Sequence, residues 1–420
     1  MGQSRMSRRS VLGLTGGLAV VGMAGATGAG LLDGGQTTVG KVGAKLAKAP
    51  AKRFAHPGLL HTSADLKRMQ TKVRAGAAPW QAGWKVLEAN SHSRSGWKPR
   101  PLTTVYRGNG SPQNYGILYN DIHAAYQNAL RWRITGDRAH GDTARDILNA
   151  WSATLKKVTG TSDRFLAVGI YGYEFANAAE LMRGYPGFDL ARFQTMMREV
   201  FYPSNDDFLK NHNGLYVTHY WANWDLAQMC SVLAIGILCD DPAKVEQAVT
   251  YFKHGAGNGS IRHVIPFLHP GGLGQWQESG RDQGHTTLGI GLMGTFCEMA
   301  WNQGYDLYGY DDKRFLKGCE YVAKYNLGHD VPFTTYTWYS GTPDKPGPIQ
   351  KQTQISPGGR GNIRPVWELV YNHYVRRRGL HAPWTKAMAA KARPEGGGGN
   401  YGPNSGGFDQ LGFGTLAFTR

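Results

Sequence analysis

Apolar residues recur with the roughly 3.6-residue period of an α-helix along most of the chain, from about residue 56 onward. Over residues 117–132 one helical face is apolar, with Leu118, Ile122, Ala125, Tyr126, Ala129 and Leu130. The segment 134–137, Ile-Thr-Gly-Asp, breaks this period, and a second apolar stripe follows over 144–158. The two stripes predict an antiparallel helical hairpin with a tight turn.

Similar breaks divide the rest of the chain into further helices. The predicted helices cover residues 63–75, 79–90, 117–135, 138–158, 164–184, 189–202, 221–239, 242–254, 282–302, 312–326 and 363–378. No sequence repeat occurs at the period of about 34 to 47 residues that marks a stacked solenoid. We therefore predict an all-α fold, an (α/α) toroid of about five to seven helical hairpins. Two Gly-rich or aromatic-rich segments, 327–362 and 395–420, lack the helical period, and we expect irregular structure there.

The first thirty residues have the composition of an export signal. Arg8 and Arg9 precede an apolar, Gly-rich stretch, and small residues follow it near Ala24 and Ala26. This order resembles a twin-arginine signal. We therefore expect residues 1–30 to be a signal peptide, 31–54 a linker and 55–420 a single toroid domain. No later stretch has eighteen consecutive apolar residues, so we expect a secreted protein without a membrane span.

The charge balance indicates an acidic partner. The chain has 47 Lys and Arg against 30 Asp and Glu, a net charge of +17, and removal of the signal's arginines leaves about +14. Such a balance suits nucleic acid, an acidic membrane surface or an acidic polysaccharide. The cations are spread along the chain without a nucleic-acid-binding motif, so we expect no nucleic-acid partner. Nothing in the sequence indicates an oligomeric state.

Four cysteines offer no metal or redox motif. Cys230 and Cys239 are too far apart along one helix to form a disulfide. Buried free thiols are expected, while a Cys297 to Cys319 or Cys230 to Cys297 bond stays possible on spacing alone.

Four motifs follow one another along one stretch of the chain. They are the opening His56-Pro57-Gly58-Leu59-Leu60, the hairpin 129–151, the segment His219-Tyr220-Trp221-Ala222-Asn223-Trp224 and the segment 276–286, Trp-Gln-Glu-Ser-Gly-Arg-Asp-Gln-Gly-His-Thr. In this order they resemble the alginate-lyase superfamily of polysaccharide lyases. The resemblance covers roughly residues 55–330. It implies an (α/α) toroid whose central groove binds an acidic uronate chain.

Cleavage of a uronate polymer by β-elimination makes chemical demands that these segments can meet. The C5 proton is acidic only once the neighbouring carboxylate is neutralised by an amide, an imidazolium or a guanidinium. A base then takes that proton, and an acid protonates the leaving O4. At the start of a predicted helix, His219, Tyr220 and Asn223 form one candidate catalytic group, and the helix N-terminus adds partial positive charge. The alternative is a structural role for both residues, in which Asn223 caps a turn and His219 is a core residue.

The second candidate group precedes the apolar helix predicted over 282–302. Arg281 and His285 are four residues apart and share a helical face, so they are candidates for holding charge and moving protons. The alternative is a structural ion pair between Glu278 and Arg281. The expected substrate contacts are His123, Trp224, Gln277, Glu278, Tyr336 and Tyr339.

The sequence thus predicts a secreted polysaccharide lyase that cleaves a β-1,4-linked uronate polymer such as alginate or glucuronan. We expect the reaction to need neither a metal nor another cofactor, because Asn, Arg and His can neutralise the carboxylate. One alternative is a glycoside hydrolase on the same toroid, with Asp225, Glu278 or Asp282 as acid and base. The other is a non-catalytic protein that binds acidic polysaccharide by charge.

Overall fold

The computed structural model describes residues 54–108, 113–397, 399 and 408–420. Helices dominate this part of the chain. They are α1 (Ser63–Arg74), α2 (Trp80–Ala89), α3 (Tyr115–Thr135), α4 (Arg138–Thr154), α5 (Arg164–Leu166), α6 (Gly172–Met182), α7 (Leu190–Met196), α8 (Tyr202–Asn211), α9 (Ala222–Leu238), α10 (Pro242–His254), α11 (Ile261–Val264), α12 (Gln283–Asn302), α13 (Tyr310–Asn326), α14 (Trp367–Tyr371), α15 (Pro383–Ala392) and α16 (Gly414–Ala417).

Five of these helices form an inner ring. Helices α3, α6, α9, α12 and α14 pack side by side in that order, and α16, α1 and α2 connect α14 back to α3. Every residue of α6 and every residue of α9 from Asp225 to Leu238 is buried. Helices buried on all sides are surrounded by protein, whereas the outer helices α4 and α10 bury one stripe. The predicted all-α toroid is confirmed.

The inner helices run in the same direction. Between α3 and α6, Tyr119 contacts Tyr171 and, one turn later, His123 contacts Glu174. Between α9 and α12, the backbone of Asn223 bonds Glu278, and the Cys230 thiol later bonds the carbonyl of Leu292. The N-terminal ends of the inner helices therefore lie on one face of the ring, where their partial positive charges add.

Six short strands accompany the helices in the described residues, more than the pattern predicts. The parallel pair is β1 (Thr104–Arg107) with β2 (Lys157–Gly160), and the antiparallel pairs are β3 (Phe267–His269) with β4 (Leu273–Gln275) and β5 (Tyr336–Thr342) with β6 (Lys345–Gln352). The expectation of irregular structure over 327–362 is therefore wrong for the hairpin of β5 and β6. Buried and exposed residues alternate along β5, which is the period of two expected of a strand. In the sequence, Gly341 and the prolines of β6 obscure this period.

Most predicted helices are present with shifted ends. The helix expected over 138–158 ends at Thr154, because Val158 pairs with Val105 between β2 and β1. The helix expected to end at residue 202 continues as α8, whose Pro203 occupies the first turn, where a missing N–H costs nothing. Helix α15 was not predicted, and it too begins with a proline.

The predicted signal, residues 1–30, and linker, 31–54, lie outside the described residues except for Phe54, which packs into the core. All four cysteines are free thiols. Among the helices described, none is both long and apolar enough to cross a membrane.

Candidate active site

The first turn of α9 is fixed by two side chains from the segment before α12. Trp221 is the N-cap residue and gives no side-chain cap. Instead, the backbone N–H of Ala222 donates to Oε1 of Gln277 at 3.1 Å, and that of Asn223 donates to Oε2 of Glu278 at 3.1 Å. The two predicted catalytic segments therefore meet at the N-terminal end of α9, where unpaired N–H groups need acceptors.

Glu278 is fully buried and also holds Arg281. Its Oε1 accepts a hydrogen bond from Nη1 of Arg281 at 2.9 Å, and the Arg281 side chain is 26% exposed. Burial raises the pKa of Glu278, while the charge of Arg281 opposes that rise. The ion pair that was the alternative to a catalytic role for Arg281 is therefore present, and Glu278 joins this guanidinium to the backbone of Asn223.

Asp282 and His285 form a dyad at the start of α12. Asp282 caps the helix, since its Oδ1 accepts the backbone N–H of His285 at 2.8 Å, and its Oδ2 lies 2.6 Å from Nδ1 of the same histidine. Burial alone would raise the pKa of Asp282, but the hydrogen bonds and charge of His285 lower it below its ordinary value. A carboxylate only accepts, so Nδ1 carries the hydrogen and Nε2 is left as the reactive nitrogen.

Asn223 and His219 have polar atoms that lack protein partners. Asn223 is buried, and within the described residues its Oδ1 has no hydrogen-bond partner. The same holds for Nδ1 of His219, a half-buried ring whose pKa burial lowers. Buried polar atoms are normally paired, so unpaired ones beside a cation indicate a place for a polar ligand.

The β5–β6 hairpin packs against the segment that carries His219. The hydroxyl of Tyr336 donates to Oδ1 of Asn258 at 3.2 Å, and burial raises the pKa of Tyr336 to about 12. Nδ2 of Asn258 donates to the carbonyls of Thr218 at 3.2 Å and Tyr220 at 2.7 Å, on either side of His219. One amide thus links Tyr336 to the backbone that carries His219. The sequence gives no sign of a role for Asn258, because a single Asn in a loop has no characteristic spacing to other residues.

One aromatic ring contacts Arg281, and further rings extend from it along β5. Its guanidinium carbon lies 5.1 Å from the ring centre of Trp221, and Trp221 contacts Trp338 of β5 at 4.8 Å. Tyr339, one residue further, is 40% exposed and packs edge-on against Tyr216. Flat, partly exposed rings next to a cation suit a sugar acid.

Two predicted residues serve the aromatic core behind the site. Tyr220 packs with Phe165 and Phe208, and half-buried Trp224 covers that cluster. The Tyr220 hydroxyl accepts a hydrogen bond from Nδ2 of Asn213 at 2.9 Å. These contacts support the backbone of His219 and place neither ring beside Arg281.

His123 does not join the other candidates, which corrects the expectation of a substrate contact. It is fully buried on α3, its Nε2 lies 3.2 Å from the carbonyl oxygen of Phe408, and the Phe408 ring covers it. The apolar face that surrounds it in the sequence is a core face.

The carboxylates expected for a glycoside hydrolase are buried and hydrogen-bonded. Oδ1 of Asp225 accepts the Tyr251 hydroxyl at 2.6 Å and lies 3.1 Å from Nε2 of His212, while its buried Oδ2 has no hydrogen-bond partner among the described residues. Glu278 and Asp282 are held as described above. None of them faces open space as an acid or base for hydrolysis would. Within the described residues, no three His, Cys, Asp or Glu side chains converge as metal ligands.

Comparison with known proteins gives the family. A model of the alginate lyase family matches residues 105–331, more than half of the chain. Alginate lyase A1-III from Sphingomonas species A1 has a similar structure, with a TM-score of 0.55, 13% identity, and coverage of 85% of this chain and 95% of that one. An alginate lyase from Bacteroides ovatus gives a TM-score of 0.53 at 11% identity, covering 80% and 96%.

A variant of A1-III complexed with a tetrasaccharide is also similar, with a TM-score of 0.50, 14% identity and coverage of 76% of this chain and 88% of that one. At these identities the likeness concerns the fold. No curated protein matches the chain in sequence. The match of the family model over most of the ring shows that the chain belongs to the alginate lyase family and is a polysaccharide lyase.

Proposed function

We propose that this lyase is exported and cleaves a β-1,4-linked polyuronate, alginate or glucuronan, by β-elimination. The observation that carries the proposal is the junction at Glu278, which bonds the backbone of Asn223 and the side chain of Arg281 through its two oxygens. It sets an amide and a guanidinium side by side at a helix N-terminus. That is the environment a substrate carboxylate needs before its C5 proton becomes acidic.

Neutralisation of the carboxylate falls to Asn223 and Arg281. Nδ2 of Asn223 donates one hydrogen bond, and the outer N–H groups of Arg281 donate a charge-assisted pair. His219, kept neutral by its lowered pKa, adds a ring N–H as a third donor. These three donors neutralise the substrate carboxylate without a metal.

Proton transfer falls to His285 and Tyr336. Nε2 of His285 takes the C5 proton, and Asp282 holds the ring in the required tautomer. Tyr336 keeps its proton at neutral pH because its pKa is raised to about 12, and it donates that proton to O4 as the glycosidic bond breaks. The products are a new reducing end and a chain with a C4 to C5 double bond. The rings of Tyr339 and Trp338 stack on the sugar rings of the substrate. Gln277 and Glu278 hold the first turn of α9 in position.

The net charge supports a polyanionic substrate, and the N-terminal segment supports export. The net charge of about +14 that remains without the signal arginines attracts a polyanion, and the Arg8-Arg9 signal pattern provides export to where such polymers occur. The signal residues are outside the described part of the chain.

A panel of polymers tests the proposal. Purified protein without residues 1–30 is incubated with polymannuronate, polyguluronate, glucuronan and neutral cellulose oligomers, and ultraviolet absorbance of the double bond is followed. We expect absorbance to rise with at least one polyuronate and not with the neutral oligomers. Shortening of the chains without absorbance would mean hydrolysis, and binding without shortening would mean a non-catalytic protein.

A further inference from the structure

Arg107 is a buried cation at the end of the ring where α3 and α6 begin, and it has no contact with the site around Glu278 among the described residues. It ends β1, is 7% exposed, and its Nη1 donates to the hydroxyl of Tyr171 at 3.3 Å. The guanidinium carbon lies 4.9 Å from the ring centre of Tyr115 and 5.6 Å from that of Tyr171. Within the described part of the chain, no carboxylate forms an ion pair with it.

A guanidinium in this setting is costly unless it has an anionic partner. Buried charges are nearly always paired, and removing one from water costs several kcal/mol. The neighbouring acid on α6, Glu174, faces His123 at 3.4 Å, and burial raises its pKa well above the usual range, which favours its uncharged form. Arg107 therefore keeps donors available for an anion from outside.

The surroundings of Arg107 are shaped for a sugar ring. Tyr115 and Tyr119 are half-buried on the first turns of α3, with ring centres 5.8 Å apart. Tyr119 stacks on Phe408 at 4.7 Å, which fixes its orientation. At the pairing of β1 with β2, Arg107 lies opposite Gly160, whose φ of 138° and close approach to the Arg107 backbone leave no room for a side chain. The cation and its rings are thus held in place before any ligand arrives.

We propose that Arg107, with Tyr115 and Tyr119, is a distal subsite that binds the carboxylate and ring face of one uronate unit. The subsite lies at the start of α3, and α6 separates it from the start of α9. Packed helices are about 8–10 Å apart, so the path around the ring from Arg107 to Asn223 is roughly 16–20 Å, the length of several sugars. The inference rests on the proposed function, because it assigns part of the same substrate.

The test compares substrates of different length. Arg107→Gln and, as a matched control, Arg138→Gln are assayed on polyuronate and on oligomers too short to reach from Asn223 to Arg107. Arg138 is exposed at the start of α4, an outer helix that runs opposite to α3, so its loss removes the same charge elsewhere. We expect Arg107→Gln to raise KM for the polymer about tenfold or more, with kcat and the short-oligomer KM unchanged, and Arg138→Gln to change neither.

Equal KM values for the two variants on polymer, or an equal rise on short and long substrates, would overturn the subsite. Should Arg107→Gln fold poorly, Tyr115→Ala gives the same length test without removing the cation. Failure of the wild-type protein to cleave any polyuronate would refute the proposed function instead. Titration calorimetry of wild type and Arg107→Gln with a long uronate oligomer would then still show whether Arg107 contributes to binding.

Discussion

Glu278 accepts the backbone N–H of Asn223 at 3.1 Å with one carboxylate oxygen, while its other oxygen accepts the Arg281 side chain at 2.9 Å. The two segments that carry the candidate chemistry are 55 residues apart in sequence and are joined by this single buried side chain. Glu278 is therefore a positioning residue, which sets the distance between the amide and the guanidinium without touching substrate.

Glu278→Gln should lower kcat by up to about 10²-fold, because misplacing a catalytic group by an ångström costs that much. The amide can still accept from Asn223 but cannot balance the charge of Arg281. The control is Glu88→Gln, an exposed glutamate on α2. Steady-state kinetics and melting temperature are measured on both variants. Unchanged kcat in Glu278→Gln would show that the ion pair has no part in the reaction.

Tyr336→Phe should reduce kcat by about 10²-fold or more, the usual effect of losing a general acid. In the wild type, activity should not fall between pH 7 and pH 10 through loss of this proton, because the pKa of Tyr336 is raised to about 12. The pH profile of kcat is the measurement. A decline centred near pH 9 that disappears in Tyr336→Phe would contradict the raised pKa.

Salt should weaken substrate binding more than chemistry. If the net charge of about +14 that remains without the signal arginines serves to attract a polyanion, KM should rise between about 0.05 and 0.5 M salt while kcat changes little, since the screening length shortens over that range. A KM that stays constant across the series would argue against this role for the charge.

His61 should make stability depend on pH. It is buried with Nε2 2.7 Å from the hydroxyl oxygen of Tyr126, and burial lowers its pKa from 6.5 to about 4. Below pH 6.5 the unfolded chain binds a proton that the folded protein refuses, so protons favour unfolding. The contribution to the free energy of unfolding should fall by roughly 1.4 kcal/mol per pH unit down to about pH 4.

The variant His61→Gln lacks this titration. Its deficit in unfolding free energy relative to wild type, measured with denaturant, should therefore be smaller at pH 5 than at pH 7. A deficit of the same size at both values would show that His61 does not titrate as its burial implies.

The hydrophobic period predicts the ring well, because inner and outer helices each need an apolar face. It does not predict the β5–β6 hairpin, where Gly341 and the β6 prolines obscure the strand period. Hydrogen bonds from Tyr216 and Thr218, which lie in a distant segment, hold β5 in place. Motif spacing makes Asn223, Arg281 and His285 candidates for the site. It does not show that His123 is sealed beneath Phe408, since a buried and a groove-facing histidine look alike on an apolar helix.

The network around Asn258 shows the same limit. Its amide bonds two backbone carbonyls and the hydroxyl of Tyr336, and none of these contacts leaves a trace in residue spacing. Such contacts depend on how loops close over the ring, which only the folded chain specifies.

The most direct test of the account is the rate of double-bond formation per folded molecule in Asn223→Ala and Arg281→Ala, on the polyuronate that the wild-type protein cleaves. Each variant should lose at least about 10²-fold in kcat per folded molecule, as expected when a preorganised donor to a developing charge is removed. The melting temperature should stay near that of wild type in Asn223→Ala and fall in Arg281→Ala, because loss of Arg281 leaves the buried Glu278 without its ion pair. Retention of most of the activity by both variants would contradict the assignment of the site.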